Sequence, residues 1–397
     1  MKETNAKINR VMHKWKLLIL TLILAAVFCA RKDELQQATE AIERGDYSKG
    51  VMLLTRVLRS DSLNPHVHYH LSLAYAYLDS ANLSFSHYQK LVTLGADLKD
   101  DALLREMLAH LLQVEPYASS PIPMKRLNQF KGAFSPDGQT VVVAAAQRGI
   151  AHIYLAKLDG TEIEKITKVG MNTDPDFSPT GEHVVFVSDR DGDDELFLYD
   201  MMNKHIERLT DNNAQDYSPS FSPDGQEIVF VSNMHDKNKW EIYKVNVSTK
   251  KTTRLTKNDY WDGFPKFSSD GKTIVFSSKR NGTDDIYRMG KNGGGERVLY
   301  ASAADDNDPL LIDEYLFFKS NMDDGWEIYR FNTRNKILLR LTYNNYPDWN
   351  PRVTKDGTRL ILARQKKKTW QLYWLNMNNP ISAEFIMEKI KQVHELQ

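Results

Sequence analysis

The chain of 397 residues has a single cysteine, Cys29. No intramolecular disulfide can form, so burial alone must hold the folded parts together. No Gly-x-Ser-x-Gly elbow occurs, so the hydrolase domain that this elbow marks is not expected. P-loop and dinucleotide fingerprints are missing too. Lys plus Arg and Asp plus Glu both number 52, giving no net charge. Residues 1–32 hold seven basic groups and one acid, +6, which leaves −6 on the remainder. Outside that segment there is no basic stripe, so nucleic acid is not an expected partner. Lys366-Lys-Lys368 sits at a turn and reads as solvated.

What the chain does contain is a repeat. Phe134-Ser-Pro-Asp-Gly138, Phe177-Ser-Pro-Thr-Gly181, Phe221-Ser-Pro-Asp-Gly225 and Phe267-Ser-Ser-Asp-Gly271 are copies of one pattern. Leu311 begins a degraded fifth copy without the turn glycine, and Val353-Thr-Lys-Asp-Gly357 is the sixth. The starts at 134, 177, 221, 267, 311 and 353 lie 42–46 residues apart, a period that signals a repeat architecture. A proline two positions earlier (Pro175, Pro219, Pro265, Pro309, Pro351; Gly132 in the first copy) suits the start of a strand. Asp-Gly suits a tight hairpin turn. The apolar runs that follow, such as Val141–Ala146 and Ile228–Val231, read as strands buried on both faces. A third strand is expected around Ile153, Leu196, Ile242, Ile286, Ile328 and Leu372. A fourth carries Arg-Leu-Thr, as at 208–210, 254–256 and 340–342. Four strands per 40–45 residues is the signature of a propeller blade. The sixth copy stops after Asn378 without a fourth strand, and Met124–Asn128 matches the missing piece; it is expected to close the ring, the alternative being that it is a linker.

These repeats resemble the WD40-like repeats of TolB-type six-bladed propellers, over residues 124–378. That resemblance implies docking of a lipoprotein or peptide segment at the loop face or channel mouth. Some lyases with this repeat use a histidine-rich metal site in the channel. Here His152, His183, His205 and His235 fall at unrelated positions, which argues against that class.

Residues 33–115 read differently, with apolar residues at helical spacing: Ala38, Ala41, Leu54 and Leu58 in one helix pair, Leu71, Ala74, Leu78 and Leu91 in a second, then a helix over 102–113. With Gly45-Asp-Tyr47 at a turn and Asn64-Pro65 at a repeat end, this region resembles tetratricopeptide repeats, which implies a concave groove for a second partner. Pro116–Pro123 reads as a linker, and 379–397 as an amphipathic helix docking on this chain or a partner. The fold class expected is therefore an α-helical repeat domain followed by an all-β six-bladed propeller.

The basic start and the apolar run Leu17–Phe28 describe an export signal over residues 1–30, the run being shorter than the about 20 residues a membrane span needs. An uncleaved anchor is the alternative. Ala26-Val27-Phe28-Cys29 resembles a lipobox, departing from it at Phe28, and implies acylation of Cys29.

His66 and His70, spaced to share a helix face, could hold zinc but have no evident third ligand nearby. The acidic run Asp189–Glu195 invites a calcium reading, yet its glycine stands fourth rather than sixth, and a hairpin turn explains it. The better candidate is a face: the loops leading into each inner strand and those joining the two middle strands open on one side. They carry Asp174, Arg190, Tyr217, Asn233, Trp261, Asp262, Arg280, Asp308, Asn321, Trp349, Asn350 and Arg364. Aromatics with Arg and carboxylates form binding hot spots; the competing reading is that Trp261 and Trp349 pack between blades. The expectation is a non-enzymatic, cofactor-free envelope scaffold, periplasm-facing and lipid-anchored in the outer membrane, that binds envelope proteins or peptide segments. The alternatives are a carbohydrate lyase or hydrolase using the channel, or a sensor of glycans or small ligands.

Overall fold

In five of the six repeats the segment Ser-Pro-Asp-Gly, or its variant, closes a hairpin by bonding to itself. The hydroxyls of Ser135, Ser222 and Ser268 accept the amide N–H five residues on, at 2.9–3.1 Å. The same hydroxyls donate to Asp137, Asp224 and Asp270 at 2.5–2.6 Å and hold those carboxylates below their usual range. In the degraded fifth copy Asp313 itself takes φ 51, and its amide donates to Ser269 of the preceding repeat at 2.9 Å. A bond to the neighbouring blade thus supports the turn that lacks glycine.

The structure is a computed structural model and describes residues 33–96, 102–323 and 325–395. Six four-stranded antiparallel sheets follow one another. Strand β1 (Tyr117–Pro121) comes first along the chain. The first blade is β2 (Asn128–Phe134), β3 (Thr140–Gln147), β4 (Ile150–Lys157) and β5 (Glu164–Lys165). The second is β6 (Asn172–Phe177), β7 (His183–Ser188), β8 (Glu195–Asp200) and β9 (Ile206–Arg208). The third is β10 (Asp216–Phe221), β11 (Glu227–Asp236), β12 (Lys239–Asn246) and β13 (Thr252–Arg254). The fourth is β14 (Asp262–Phe267), β15 (Thr273–Ser278), β16 (Asp285–Gly290) and β17 (Arg297–Tyr300). The fifth is β18 (Asp306–Ile312), β19 (Tyr315–Ser320), β20 (Glu327–Asn332) and β21 (Leu338–Arg340). The last joins β22 (Asp348–Val353), β23 (Arg359–Lys366) and β24 (Thr369–Pro380) to β1, in the order β1-β24-β23-β22.

The strand beside β24 is therefore Tyr117–Pro121, not Met124–Asn128, and most of the supposed linker 116–123 is sheet. Its Pro and Ser content is tolerated because an outermost strand needs only one edge paired. Tyr117 is 1% exposed, packed against Tyr373, Leu375 and Met377. Met124–Leu127 instead turns the chain toward β2, and Asn128 begins that inner strand.

Apolar clusters fill the spaces between successive blades. Val142 and Ala144 of the first meet Phe177 and Phe186 of the second, and Ile361 and Leu372 of the sixth meet Val143 and Tyr154 of the first. Phe186, Phe230, Phe276 and Phe318 are fully buried and stack at 5.8–6.0 Å on Phe197, Tyr243, Tyr287 and Tyr329 across the two middle strands.

A polar network also repeats. Glu195, Glu241 and Glu327, each 2% exposed or less, accept from Arg208, Arg254 and Arg340 at 2.7–3.0 Å. Asn212, Asn258 and Asn344 then donate to Asp216, Asp262 and Asp348 at the head of the next blade, at 2.8–3.0 Å. This is what the Arg-Leu-Thr strands do: they tie the second, third and fifth blades to their successors. The fourth blade has Val298, Tyr300 and Ser302 at the places of Arg, Thr and Asn. Both oxygens of the fully buried Asp306 lack a hydrogen-bond partner there, and burial pushes its carboxyl up to about 6.

Residues 33–112 and 382–395 form a separate unit of helices. They are α1 (33–43), α2 (Tyr47–Ser60), α3 (Pro65–Tyr77), α4 (Ala81–Thr93), α5 (Ala102–Leu111) and α6 (Ala383–Glu395). Asn64 caps α3 by accepting from His66 N–H and Val67 N–H, and Pro65 fills its first position. α2 packs on α3, α3 on α4 and α5, and α6 on α5 with Ile386 and Ile390 fully buried. The amphipathic tail thus packs within this unit. No helix of the described residues is long and apolar enough to cross a membrane. The export signal and Cys29 lie outside the described residues.

Candidate functional site at the propeller channel

Five of the six inner strands are broken at the same place. Asp174, Ser218, Phe264, Asp308 and Asn350, each just before its proline, take φ of 51–55, and the ladder shifts register there. Such a bulge re-aims side chains. Residues before the proline line a narrow neck of the channel, including Lys131, Asp174, Ser218 and Asn350. Residues after it, including Asp176, Ser220, Lys266, Leu310 and Arg352, line a wider chamber on the side of the Ser-Pro-Asp-Gly hairpins. The channel is therefore walled by two rings with different side chains in each blade.

Charges in the neck are mostly paired. Lys131 bonds Asp174, and Arg352 bonds Asp308 at 3.1 Å. Two lysines have no such partner. Lys266, 3% exposed, donates to the Pro219 carbonyl at 3.3 Å, and burial pushes its ammonium down to about 8. Lys319, also 3% exposed, is likewise held at about 8 by burial. Its Nζ lies 3.4 Å from the ring centre of Trp349, 4.6 Å from Trp326 and 5.6 Å from Phe264.

That lysine sits among an aromatic group on the loop side. Trp349 lies 5.6 Å from Trp326 and 5.7 Å from Trp370, and its Nε1 is buried without a hydrogen-bond partner. Trp261 stands edge-on to Phe264 at 5.8 Å and covers Gly263, where a Cβ would come within 2.3 Å of the indole. Both tryptophans remain half-buried, packed yet open to one side.

The twelve residues singled out in the sequence separate into groups. Asp174, Asp308, Trp261, Trp349 and Asn350 gather around the channel; Asn350 donates to the Phe130 carbonyl at 3.1 Å. Asp262 and Arg280 pair at 3.1 Å, and Arg280 also bonds Glu296. Arg364 is held by Asp348 at 2.8 Å and by Glu115. Arg190 donates to Asn172 and lies over Phe186 and Phe197. Asn233 bonds backbone at Gln215 and Lys237. These five are tied into their own blades. Tyr217 bonds Asp194 and packs on Trp240, while Asn321 is exposed and accepts from the Asp305 amide.

Sequence reasoning missed Lys131, Phe264, Lys266, Lys319, Trp326, Arg352 and Trp370. A signal existed for most of them. Aligning the repeats on proline sets Lys131 and Phe264 in one column, Lys266 and Arg352 in another. Lys319 stands where the other blades have Ala144, Val187, Val231, Ser277 and Ala363.

The residues of the two metal readings make other contacts, His70 lying 3.5 Å from the Thr39 hydroxyl. His66 is exposed, whereas His68 turns inward to meet His87 at 2.8 Å, and burial and then His68 push His87 down to about 4. In the acidic run, Asp194 takes the Tyr217 hydroxyl and Glu195 takes Arg208. Among the described residues no three His, Cys, Asp or Glu side chains converge as a metal site would require.

The profile of the PD40 family, the TolB beta propeller domain, matches residues 111–239 and 212–312, together just over half of the chain. An uncharacterized protein of Agrobacterium fabrum is 32% identical over 94 residues, 23% of this chain and 32% of that protein, so the match spans about a third of the relative's length. Among solved structures, a TolB candidate from Agrobacterium tumefaciens superposes with a TM-score of 0.50 at 21% identity, covering 62% of this chain and 90% of the other. A gluconolactonase from Xanthomonas campestris gives 0.53 at 13% identity, covering 68% and 92%. At these identities the likeness is one of fold.

Proposed function

The chain belongs to the TolB β-propeller domain family, and from that membership we propose that it is a non-enzymatic scaffold of the cell envelope that docks partner proteins or peptide segments at its aromatic channel mouth. The observation that carries this reading is the group Phe264, Trp326, Trp349 and Trp370 around Lys319. Large half-buried rings beside a desolvated cation, with an unused indole N–H, are the composition of an interface hot spot. The helical unit is then a second docking element of tetratricopeptide type, supported by its antiparallel pairs and by the Gly45 and Asn64-Pro65 turns. The basic and apolar N-terminal residues fit export to the periplasm, and Cys29 fits a lipid anchor to the outer membrane.

The test is capture from detergent-solubilised envelopes with the full chain as bait, beside a Phe264→Ala/Trp349→Ala variant whose circular dichroism matches the parent. A protein held by the parent and at least tenfold depleted on the variant, as loss of hot-spot residues entails, is the expected result. Equal retention by both baits, or no retained protein, removes the loop-side mouth as the docking site.

A further inference from the structure

The opposite mouth of the channel has its own chemistry. On the hairpin side the chamber measures about 210 Å³ and is walled by Phe134, Phe177, Phe221, Phe267, Leu311 and Val353. It narrows inward to a neck of about 10 Å³, and Lys266 and Arg352 line both spaces, forming the floor. An apolar cup thus ends on two cations. Lys266 uses one of its three N–H donors, on a carbonyl, and among the described residues no carboxylate lies within ion-pair distance of it. Arg352 bonds Asp308 and the Pro351 carbonyl through one nitrogen, Nη1. Asp176 also lines the chamber and accepts the Phe221 N–H at 3.3 Å. Around the neck Lys131, Lys266 and Arg352 face Asp174, Asp176 and Asp308, and Lys319 faces Asp284 and Asp305 as well as Asp308.

A buried ammonium with unfilled donors is costly unless an anion completes it. The walls are largely apolar, with Ser220, Ser222 and Thr354 among the phenylalanines, and a cavity of about 150 Å³ already accommodates benzene. We propose that the hairpin-side chamber is a binding site for an apolar monocarboxylate of about one-ring size, its carboxylate taken by Lys266 and the free donors of Arg352. The closed neck stops the ligand at the floor, so it enters and leaves by the hairpin mouth. This site is separate from the aromatic mouth and does not depend on the docking reading above.

Calorimetric titration of the full chain with 3-phenylpropanoate, 3-phenylpropanamide and acetate tests it. The expected result is saturable binding of 3-phenylpropanoate, at least tenfold tighter than either of the other two. Lys266→Met, shown to be folded by circular dichroism, should lose that tenfold preference, whereas Phe264→Ala/Trp349→Ala should keep it. Gly-Gly-Phe with a free carboxylate distinguishes sources within the same chemistry: tighter than the free acid means a chain end, weaker means a small metabolite. No binding of 3-phenylpropanoate, equal binding of the amide or of acetate, or unchanged binding by folded Lys266→Met overturns the proposal.

Discussion

Lys266 is the residue at which the cost of the channel is most concentrated. Burial lowers its ammonium from 10.5 to about 8, with Arg352 adding to the effect and Asp176, Asp308 and Asp174 opposing it. Between pH 8 and 10.5 the unfolded chain binds a proton that the native chain does not. Stability attributable to this group therefore rises with pH across that window, and its penalty is full below pH 8. A displacement of this size corresponds to at most about 3 kcal/mol. Lys266→Met should accordingly raise the melting temperature of the ligand-free protein by a few degrees at pH 7, with the advantage shrinking toward pH 10.5. Thermal unfolding of parent and variant at the two pH values checks this, and an equal difference at both would remove the desolvated charge as its cause. The same residue shows why the channel was hard to read: in a strand pattern a lysine counts as a solvent position, and only the bulge beside Pro265 turns it inward.

At the scale of the blade, the repeated Glu–Arg–Asn–Asp chain accounts for the conservation of spacing between Arg-Leu-Thr and the next inner strand within this sequence. Arg254 reaches the 1%-exposed Glu241 at 2.8 Å, whereas Arg297 of the fourth blade, one place out of step with the other arginines, is exposed. Arg254→Met should therefore destabilise by about 3 kcal/mol, because it leaves the buried Glu241 carboxylate without its cation, held only by the Thr256 hydroxyl and the Asn258 amide. Arg297→Met should stay within about 0.5 kcal/mol. Denaturant unfolding of both variants measures the contrast, and similar losses would mean that the network does not stabilise the blades. The turns were legible, since Ser, Asp and Gly satisfy each other within five residues. The difference between the arginines was not: Arg-Val-Leu-Tyr at 297–300 looks like a fourth strand and is one, but its offset leaves Val298 where the second, third and fifth blades have arginine.

At the scale of the molecule, the ring ends on a strand from its own beginning. β1 supplies the last edge of the sixth blade, and Tyr117 fills the core beneath it. A chain of residues 113–381 should fold as a monomer, while one of residues 124–381, lacking β1, should expose the edge of β24 and self-associate. Size-exclusion chromatography with light scattering distinguishes the two, and monodisperse behaviour of 124–381 would show that β1 is dispensable.

The sequence alone determined the number of blades, the three inner strands of each and the hairpin turns, because these follow from a period, from two-faced apolar runs and from bonds within a few residues. It also singled out Trp261, Trp349, Asp174, Asp308 and Asn350, among twelve residues assigned to one loop face. The tertiary structure alone decided which strand closes the ring, since Tyr117–Pro121 is distinguished from a linker only by β24 lying alongside it. It likewise decided that Arg280 and Arg364 are spent inside their blades while Lys266, Lys319 and Arg352 face the channel. Six strands must converge before one residue from each can share a wall, and no local pattern encodes that meeting.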